Sequence, residues 1–175
     1  MNHYCLMCGT KLYKQKVEGR IREICQVCGW IFYEQRKVSA GVRISQDNKL
    51  LLVRRGIEPW LGKWYMPAGF VEVDEEPQLA ARREAYEETG LKVSIKGLAG
   101  IYTYSDDPRG NGVVLMYDAI IQSGEIKTTD ETLEVGFFTK EEINCLPLAG
   151  NCVYKQVKDW LDLQKEIGQT DHASI

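Results

Sequence analysis

The chain has 175 residues, of which 44% are hydrophobic, 10% aromatic and 27% charged. These proportions exclude a disordered, collagen-like or mucin-like chain, and the length fits one domain, alone or with a small module. Lys and Arg number 22 against 25 Asp and Glu, a net charge of −3, which argues against a dedicated binder of nucleic acid or anionic membrane but leaves room for a local basic patch.

Six cysteines are present, and Cys5, Cys8, Cys25 and Cys28 fall in the first 28 residues. The start, Met1-Asn2-His3-Tyr4, has no basic stretch followed by an apolar run, so no signal peptide is expected. No apolar run approaches the ~18 residues of a membrane span. A cytoplasmic location is therefore expected, where thiols stay reduced and clustered cysteines point to metal before disulfide. The spacing is C-x2-C-x16-C-x2-C, with Gly9 and Gly29 after the pairs. Two disulfides, or unrelated buried thiols, are the alternatives; the spacing favours zinc. With all four positions filled by cysteine, the implied Zn2+ is structural, since no position stays open for water. Glycine after each pair admits the positive φ that such turns often need. Alternating residues within 11–24 suggest a hairpin, so residues 1–36 read as a zinc ribbon whose metal supplies the stability that a small core cannot. Its charges (Lys11, Lys14, Lys16, Arg20 and Arg22 against Glu18 and Glu23) permit a weak nucleic-acid contact but form no dense patch. Support of a dimer or of a sheet edge is the favoured role. Cys145 and Cys152 have no partner pattern and read as ordinary cysteines.

Gln35-Arg36-Lys37 is a polar joint to the main domain, residues 37–168. Strands are expected over 38–44 and 49–54, with the turn signal Asp47-Asn48 between them. Residues 57–62 form a loop containing Pro59 and Trp60, and 64–66 lead into Pro67-Ala68-Gly69. A helix is expected over 77–89, capped by Asp74 or Glu76, with Pro77 in its first turn and Gly90 as its stop. Strands follow over 93–95, 98–104, 113–121 and 132–138, then a short helix at 140–143. A last amphipathic helix spans 152–167 and turns Val153, Val157, Trp160, Leu161 and Leu163 to the core. Residues 169–175 read as a polar tail. The whole is a mixed sheet with a few helices, an α/β or α+β sandwich.

The most informative stretch is residues 69–91, GFVEVDEEPQLAARREAYEETGL. On the expected helix, Glu84, Glu87 and Glu88 stand at i, i+3 and i+4, so their carboxylates share one face and repel each other. Two readings are open: a solvated acidic face neighboured by Arg82 and Arg83, or a cage for hard cations such as Mg2+ that would cancel the repulsion. Neither Glu87 nor Glu88 is expected in the core.

By spacing, the stretch is G-x5-E-x7-R-E-x2-E-E-x-G, carried by Gly69, Glu75, Arg83, Glu84, Glu87, Glu88 and Gly90. A chance match has a probability on the order of 10⁻⁹ to 10⁻⁸ per start position. On these residues the chain resembles the Nudix hydrolases, with Ala85 smaller than usual at an aliphatic position. The resemblance covers roughly residues 38–167. It implies a Nudix α/β/α sandwich with a mixed sheet, and metal-dependent cleavage of a diphosphate linkage on a nucleoside. It further implies Glu87 and Glu88 as main ligands of Mg2+ (or Mn2+) and Glu84 as a further ligand or the base. Arg83 would position the glutamates, and Glu75 would tie the loop to the helix or join a further metal. A backbone carbonyl near Ala68 or Gly69 would complete the coordination, with Gly69 needed for close approach. Glu131 and Glu134 are candidates for a late-loop base or ligand. Arg54 and Arg55 read equally as phosphate contacts or as surface charge.

A ribbon before such a domain resembles NADH pyrophosphatases, but those carry SQPWPFPxS after the box, where this chain has Tyr102-Thr103-Tyr104-Ser105-Asp106-Asp107-Pro108. The run over residues 52–72 resembles instead a ribbon-bearing subgroup that includes enzymes of ADP-ribose and FAD. Trp60, Trp64, Tyr65, Tyr102 and Tyr104 are stacking candidates, although core packing is the better reading for any single one. The expected substrate is a small nucleotide, a nucleoside diphosphate derivative such as ADP-ribose or FAD, with a nucleoside triphosphate as the alternative. A nucleotide-sensing or nucleic-acid-binding regulator is the reading of another class, disfavoured because every box glutamate is present. A homodimer is suggested by the resemblance alone.

Overall fold

The computed structural model describes residues 3–171. Two compact units meet in sequence at Gln35 and Arg36. The first is a three-stranded antiparallel sheet of β1 (Tyr13–Val17), β2 (Arg20–Ile24) and β3 (Ile31–Phe32). β1 and β2 form the expected hairpin, turning through Glu18 and Gly19, both at positive φ. The buried residues of this unit are Cys5, Leu12 and Cys25, with Trp30 and Phe32 packed against them. So small a core fits a unit that needs a staple.

The second unit is built on a seven-stranded mixed sheet. Its strands are β4 (Lys37–Gln46), β5 (Lys49–Arg55), β6 (Trp64–Tyr65), β7 (Ala68–Phe70), β8 (Leu91–Tyr104), β9 (Gly112–Gly124) and β10 (Thr132–Phe138). The main path runs β10-β5-β4-β9-β8, while β6 adds to β5 and β7 to β4. β4 and β9 are parallel and the other pairs antiparallel. The β4–β5 turn places Asp47 and Asn48 at φ 51° and 58°, the doubly left-handed conformation of a tight hairpin turn. The two short strands expected over 93–95 and 98–104 are one strand, β8. The break suggested by Lys96-Gly97 is absorbed as register shifts at Ile95/Gly97 and Leu98/Gly100.

Three helices cover the sheet: α1 (Pro77–Thr89), α2 (Lys140–Ile143) and α3 (Gly150–Asp171). α1 brings Ala80, Ala81 and Ala85, all fully buried, against Ala40, Val42, Ile44 and Leu51. The small Ala85 thus lies where the helix approaches the sheet closely. α3 packs Val153, Val157 and Trp160 against Leu50, Leu52, Met66 and Met116. Leu50 and Leu52 join this cluster while Leu51 joins the other, the alternation of a strand buried on both faces. The result is an α/β/α sandwich.

α1 begins at Pro77 after Glu76, whose side chain makes no capping hydrogen bond, and stops at Gly90 with φ 77°. α3 departs from expectation at three points. It starts two residues early because its first turn is capped from elsewhere: the Asn151 N–H donates to Asp106 Oδ2 at 2.7 Å. Leu163 is 39% exposed, lying beside the buried stripe of Val153, Val157 and Trp160. The helix also continues through Gly168 to Asp171; the rest of the expected tail, residues 172–175, lies outside the described residues. No helix among the described residues is long and apolar enough to cross a membrane.

Trp160 is 2% exposed, and its indole N–H donates to Ser45 Oγ at 3.1 Å. Trp160→Ala is expected to lower unfolding free energy by about 3–5 kcal/mol, read by denaturant titration.

Candidate active site

The site begins with the turn from β7 into α1. Ala68, Gly69 and Phe70 pair with Gly41, Ala40 and Ser39 of β4, which fixes this backbone beside the sheet. A Cβ on Gly69 would run into the Glu84 carboxylate. The Glu84 side chain occupies the space that glycine leaves, so a larger residue here would displace that carboxylate from its place beside Arg83.

Arg83 organises the acids. Its Nε and Nη2 donate to the two Glu75 carboxylate oxygens at 3.1 and 2.5 Å. Nη1 donates to Glu84 Oε1 at 2.7 Å and Glu87 Oε2 at 2.9 Å. Nη2 also reaches the Phe70 carbonyl at 3.0 Å. All five donors of the guanidinium are thereby used. Hydrogen bonds from Arg83, and one from the Glu72 N–H, hold the Glu75 carboxyl below the usual carboxylate range. Arg83 is pushed up in turn, chiefly by Glu75. Glu84 is raised by burial, despite its pairing with Arg83.

Glu88 is only 5% exposed, which corrects the expectation that it lies outside the core. It sits in the last turn of α1, where the helix meets β6 and β7. The Tyr65 hydroxyl donates to Glu88 Oε1, and the Ala68 N–H donates to Oε2 at 2.9 Å. Burial nevertheless pushes its carboxyl up to about 8, because two hydrogen bonds do not replace full hydration of a carboxylate. Tyr65 is raised as well, by burial and the facing Glu88.

The loop before β10 closes over this face. The Thr132 hydroxyl donates to the Glu88 carbonyl at 3.2 Å, and the Lys127 N–H to the Thr89 carbonyl at 3.0 Å. The Gly56 N–H donates to the Glu131 carbonyl at 2.7 Å. These bonds bring Glu131 to a cavity of ≈ 420 Å³ that Glu84, Glu87 and Glu88 also line.

Glu134 does not join them. It pairs with Arg54 at 3.7 Å on exposed surface, where the two residues are cross-strand partners. Neither lines the cleft, so Arg54 fits the surface-charge alternative and Glu134 is not brought to the acids. Arg54 and Arg55 are consecutive in β5, so they point to opposite faces. Arg55 lies over the Tyr65 ring at 5.6 Å and lines the cleft, and its buried Nε has no hydrogen-bond partner among the described residues.

Adjoining the acids is a cleft of ≈ 340 Å³. Glu84, Glu88 and Glu131 line it, as do Trp60, Tyr65, Tyr104, Asp106, Asp107 and the first turns of α3. Of the five aromatic candidates, three are structural, among them Tyr65, which is buried in the core and gives its hydroxyl to Glu88. Trp64 packs edge-on against Phe138, and buried Tyr102 donates to Asp159 Oδ2 at 2.8 Å. Sequence reasoning missed the link from Tyr65 to Glu88 and the cleft positions of Asp106, Arg109 and Gln156. These contacts join segments distant in sequence, and no local pattern marks them.

The first unit holds a separate set of donors. The sulfur atoms of Cys5, Cys8, Cys25 and Cys28 all lie within 4.8 Å of one another. The Cys5–Cys28, Cys8–Cys25 and Cys8–Cys28 separations are 3.4, 3.5 and 3.7 Å. A tetrahedral zinc with bonds of about 2.3 Å requires sulfur separations of roughly 3.8 Å, so the set fits that ion. In each knuckle a glycine N–H closes on the first cysteine carbonyl, with Gly9 at φ 71° and Gly29 at 76°. Hydrogen bonding from the Thr10 side chain and backbone pulls the Cys8 thiol down to about 6, whereas the neighbouring cysteines and burial push Cys28 up. Cys145 is exposed and Cys152 is buried in the second unit.

The NUDIX domain model matches residues 35–161, and the chain belongs to this family. It is 38% identical over 119 residues to an ADP-ribose pyrophosphatase of Methanocaldococcus jannaschii, a match spanning 67% of this chain and 69% of that protein. It is 31% identical over 162 residues to the NAD-capped RNA hydrolase NudC of Escherichia coli; that match takes in 89% of this chain but only 59% of the longer relative. The crystal structure of a NUDIX hydrolase from Nitrosomonas europaea matches with a TM-score of 0.81 and 31% identity, over 93% of this chain and 92% of that chain.

The burial of Glu88 has a measurable consequence. Its carboxyl stands at about 8 when folded, against an ordinary 4.5. The folded state therefore binds a proton that the unfolded state has lost, so this group's contribution to stability falls as pH rises from about 4.5 to 8. In EDTA, the melting temperature of wild type is expected to fall from pH 5.5 to 8 more steeply than that of Glu88→Gln. Parallel profiles would contradict the assignment.

Proposed function

We propose that the chain is a metal-dependent hydrolase that cleaves the diphosphate linkage of a nucleoside diphosphate derivative such as ADP-ribose or FAD. The observation that carries this reading is one cleft lined by Glu84, Glu88 and Glu131 together with Trp60 and Tyr104. It sets cation-binding charge beside flat surfaces suited to a ring. The names of the two relatives above support the same reaction class.

The donors are all carboxylate oxygens around a roomy cavity, a set suited to Mg2+ or Mn2+ with retained waters. We assign Glu87 and Glu88 as principal ligands and Glu84 as a further ligand or the base. When bound, the ion supplies charge neutralisation for the diphosphate and a lowered pKa for the attacking water. The remaining roles belong to the chain itself. Arg83 spaces Glu84 and Glu87 and is held by Glu75. Gly69 admits Glu84 against the backbone. Arg55 offers a cation to phosphate, and Glu131 is the late-loop candidate for a base or ligand. The four cysteines hold structural Zn2+ in a ribbon, with the hydrolase unit following from residue 37 as a soluble, cytoplasmic enzyme.

Hydrolysis of NAD-capped RNA has support in the similarity to NudC, but the segment after the box favours the smaller substrates. Residues 102–108 supply Tyr104, Asp106 and Asp107 to the cleft and lack the motif that the resemblance associates with NADH.

A panel of ADP-ribose, FAD, NADH, NAD-capped RNA and nucleoside triphosphates, each with Mg2+ and product analysis, tests the reading. Turnover is expected to be highest for ADP-ribose or FAD. Inactivity on the whole panel, with tight, salt-sensitive nucleic-acid binding, would refute it. Glu87→Gln is expected to lower metal-dependent turnover at least about 100-fold while the circular dichroism spectrum is unchanged. Cys25→Ser is expected to release zinc, measured by elemental analysis, and to loosen the first unit before chemistry is touched; lost Mg2+-dependent activity at full zinc content would contradict the separation.

A further inference from the structure

We propose that Trp60 and Asp106 form a base-recognition pair beside the first turn of α3, selecting substrates with a flat heterocycle that carries an N–H donor at its edge. This rests on the hydrolase reading and specifies which part of the substrate the cleft selects. The two residues come from loops 46 positions apart in sequence. Both meet at one point: a Cβ placed on Gly150 would lie 3.1 Å from Asp106 Oδ2 and 3.3 Å from Trp60 Cζ2.

Core packing does not account for Trp60. Trp64 and Trp160 belong to the buried cluster beneath α3, while Trp60 is half-buried and lines the cleft. Its backbone is also committed. Trp60 has φ 74°, an uncommon conformation for a bulky side chain that tends to persist at functional sites. The loop enforces it: the Lys63 N–H donates to the Trp60 carbonyl at 2.9 Å and the Gly62 N–H to the Arg55 carbonyl at 2.8 Å. The same loop thus holds the ring and leads away from Arg55.

Helix capping does not exhaust Asp106. Oδ2 accepts the Asn151 N–H, whereas Oδ1 has no hydrogen-bond partner among the described residues. Its neighbour Asp107 differs, with both oxygens bound to Arg109. An ionised carboxylate is an acceptor only, so the free oxygen selects a donor such as an exocyclic amine or a ring imide. A ring stacked on the indole supplies the apolar contact.

The test uses the full chain with Mg2+ and reads AMP binding by calorimetry, independently of turnover. Trp60→Gly keeps a residue at ease with positive φ while removing the ring, and is expected to weaken AMP about 10-fold or more. Trp60→Phe should retain most of the affinity. Asp106→Asn, which can still cap α3, should weaken AMP but not N6,N6-dimethyl-AMP, which lacks the donor. In kinetics, the efficiency ratio of ADP-ribose to a base-free diphosphate diester of two ribose 5-phosphates should fall about 10-fold in Trp60→Gly, through KM rather than kcat. Unchanged AMP affinity in Trp60→Gly, no AMP binding by wild type, or an unchanged efficiency ratio would overturn the pair. Trp60-dependent AMP binding without turnover of any diphosphate would support the pair and overturn the hydrolase reading.

Discussion

A helix that gathers Glu84, Glu87 and Glu88 on one face has to be held against its own charge, and Arg83 is the counterweight. Its side chain spans from the Glu75 loop, through the Phe70 carbonyl, to the carboxylates of Glu84 and Glu87. A lysine has three donors and no planar fork, so it could not serve the same five contacts. The strand β7, the loop after it and the acidic face of α1 therefore depend on one guanidinium. Glu88 lies outside that network and is supported instead by Tyr65 and the Ala68 N–H. The acidic site thus has two separate supports, one charged and half-exposed, the other neutral and buried.

Much of this was legible in the chain itself where the signal is local. Pro77 and Gly90 bound α1 within a few residues, Asp47-Asn48 sets a hairpin turn, and cysteine spacing brings four sulfur atoms together. Periodicity assigns direction more reliably than depth. The helical face of Glu88 could be read, but its burial could not, since that depends on β6 and β7 arriving at the same place. The parity of β5 separates Arg55 from Arg54, yet which face meets the cleft is decided by the tertiary fold. The same holds for the aromatics: the loop that carries Trp60 could be read, but not that Trp60 lines the cleft while Trp64 packs against Phe138. The early start of α3 was hidden because its cap comes from Asp106.

The donor sets of the two units differ in softness. Four sulfur atoms spaced for a tetrahedron suit zinc, whereas a looser ring of carboxylates suits a harder ion that keeps its water. The charge of −3 for the whole chain conceals this division, since the acids of the cleft are offset by bases elsewhere.

Asp106 lies on the segment that follows β8, and its carboxylate anchors the start of a helix that packs over half of the core. A loop that contacts substrate is ordinarily a region free to vary; here it is also a structural joint. Grafting a related enzyme's loop onto this scaffold to change its preference would remove the helix's anchor along with the old contacts. A successful graft would have to carry an acceptor at the same place, which narrows the set of natural loops that this framework can borrow.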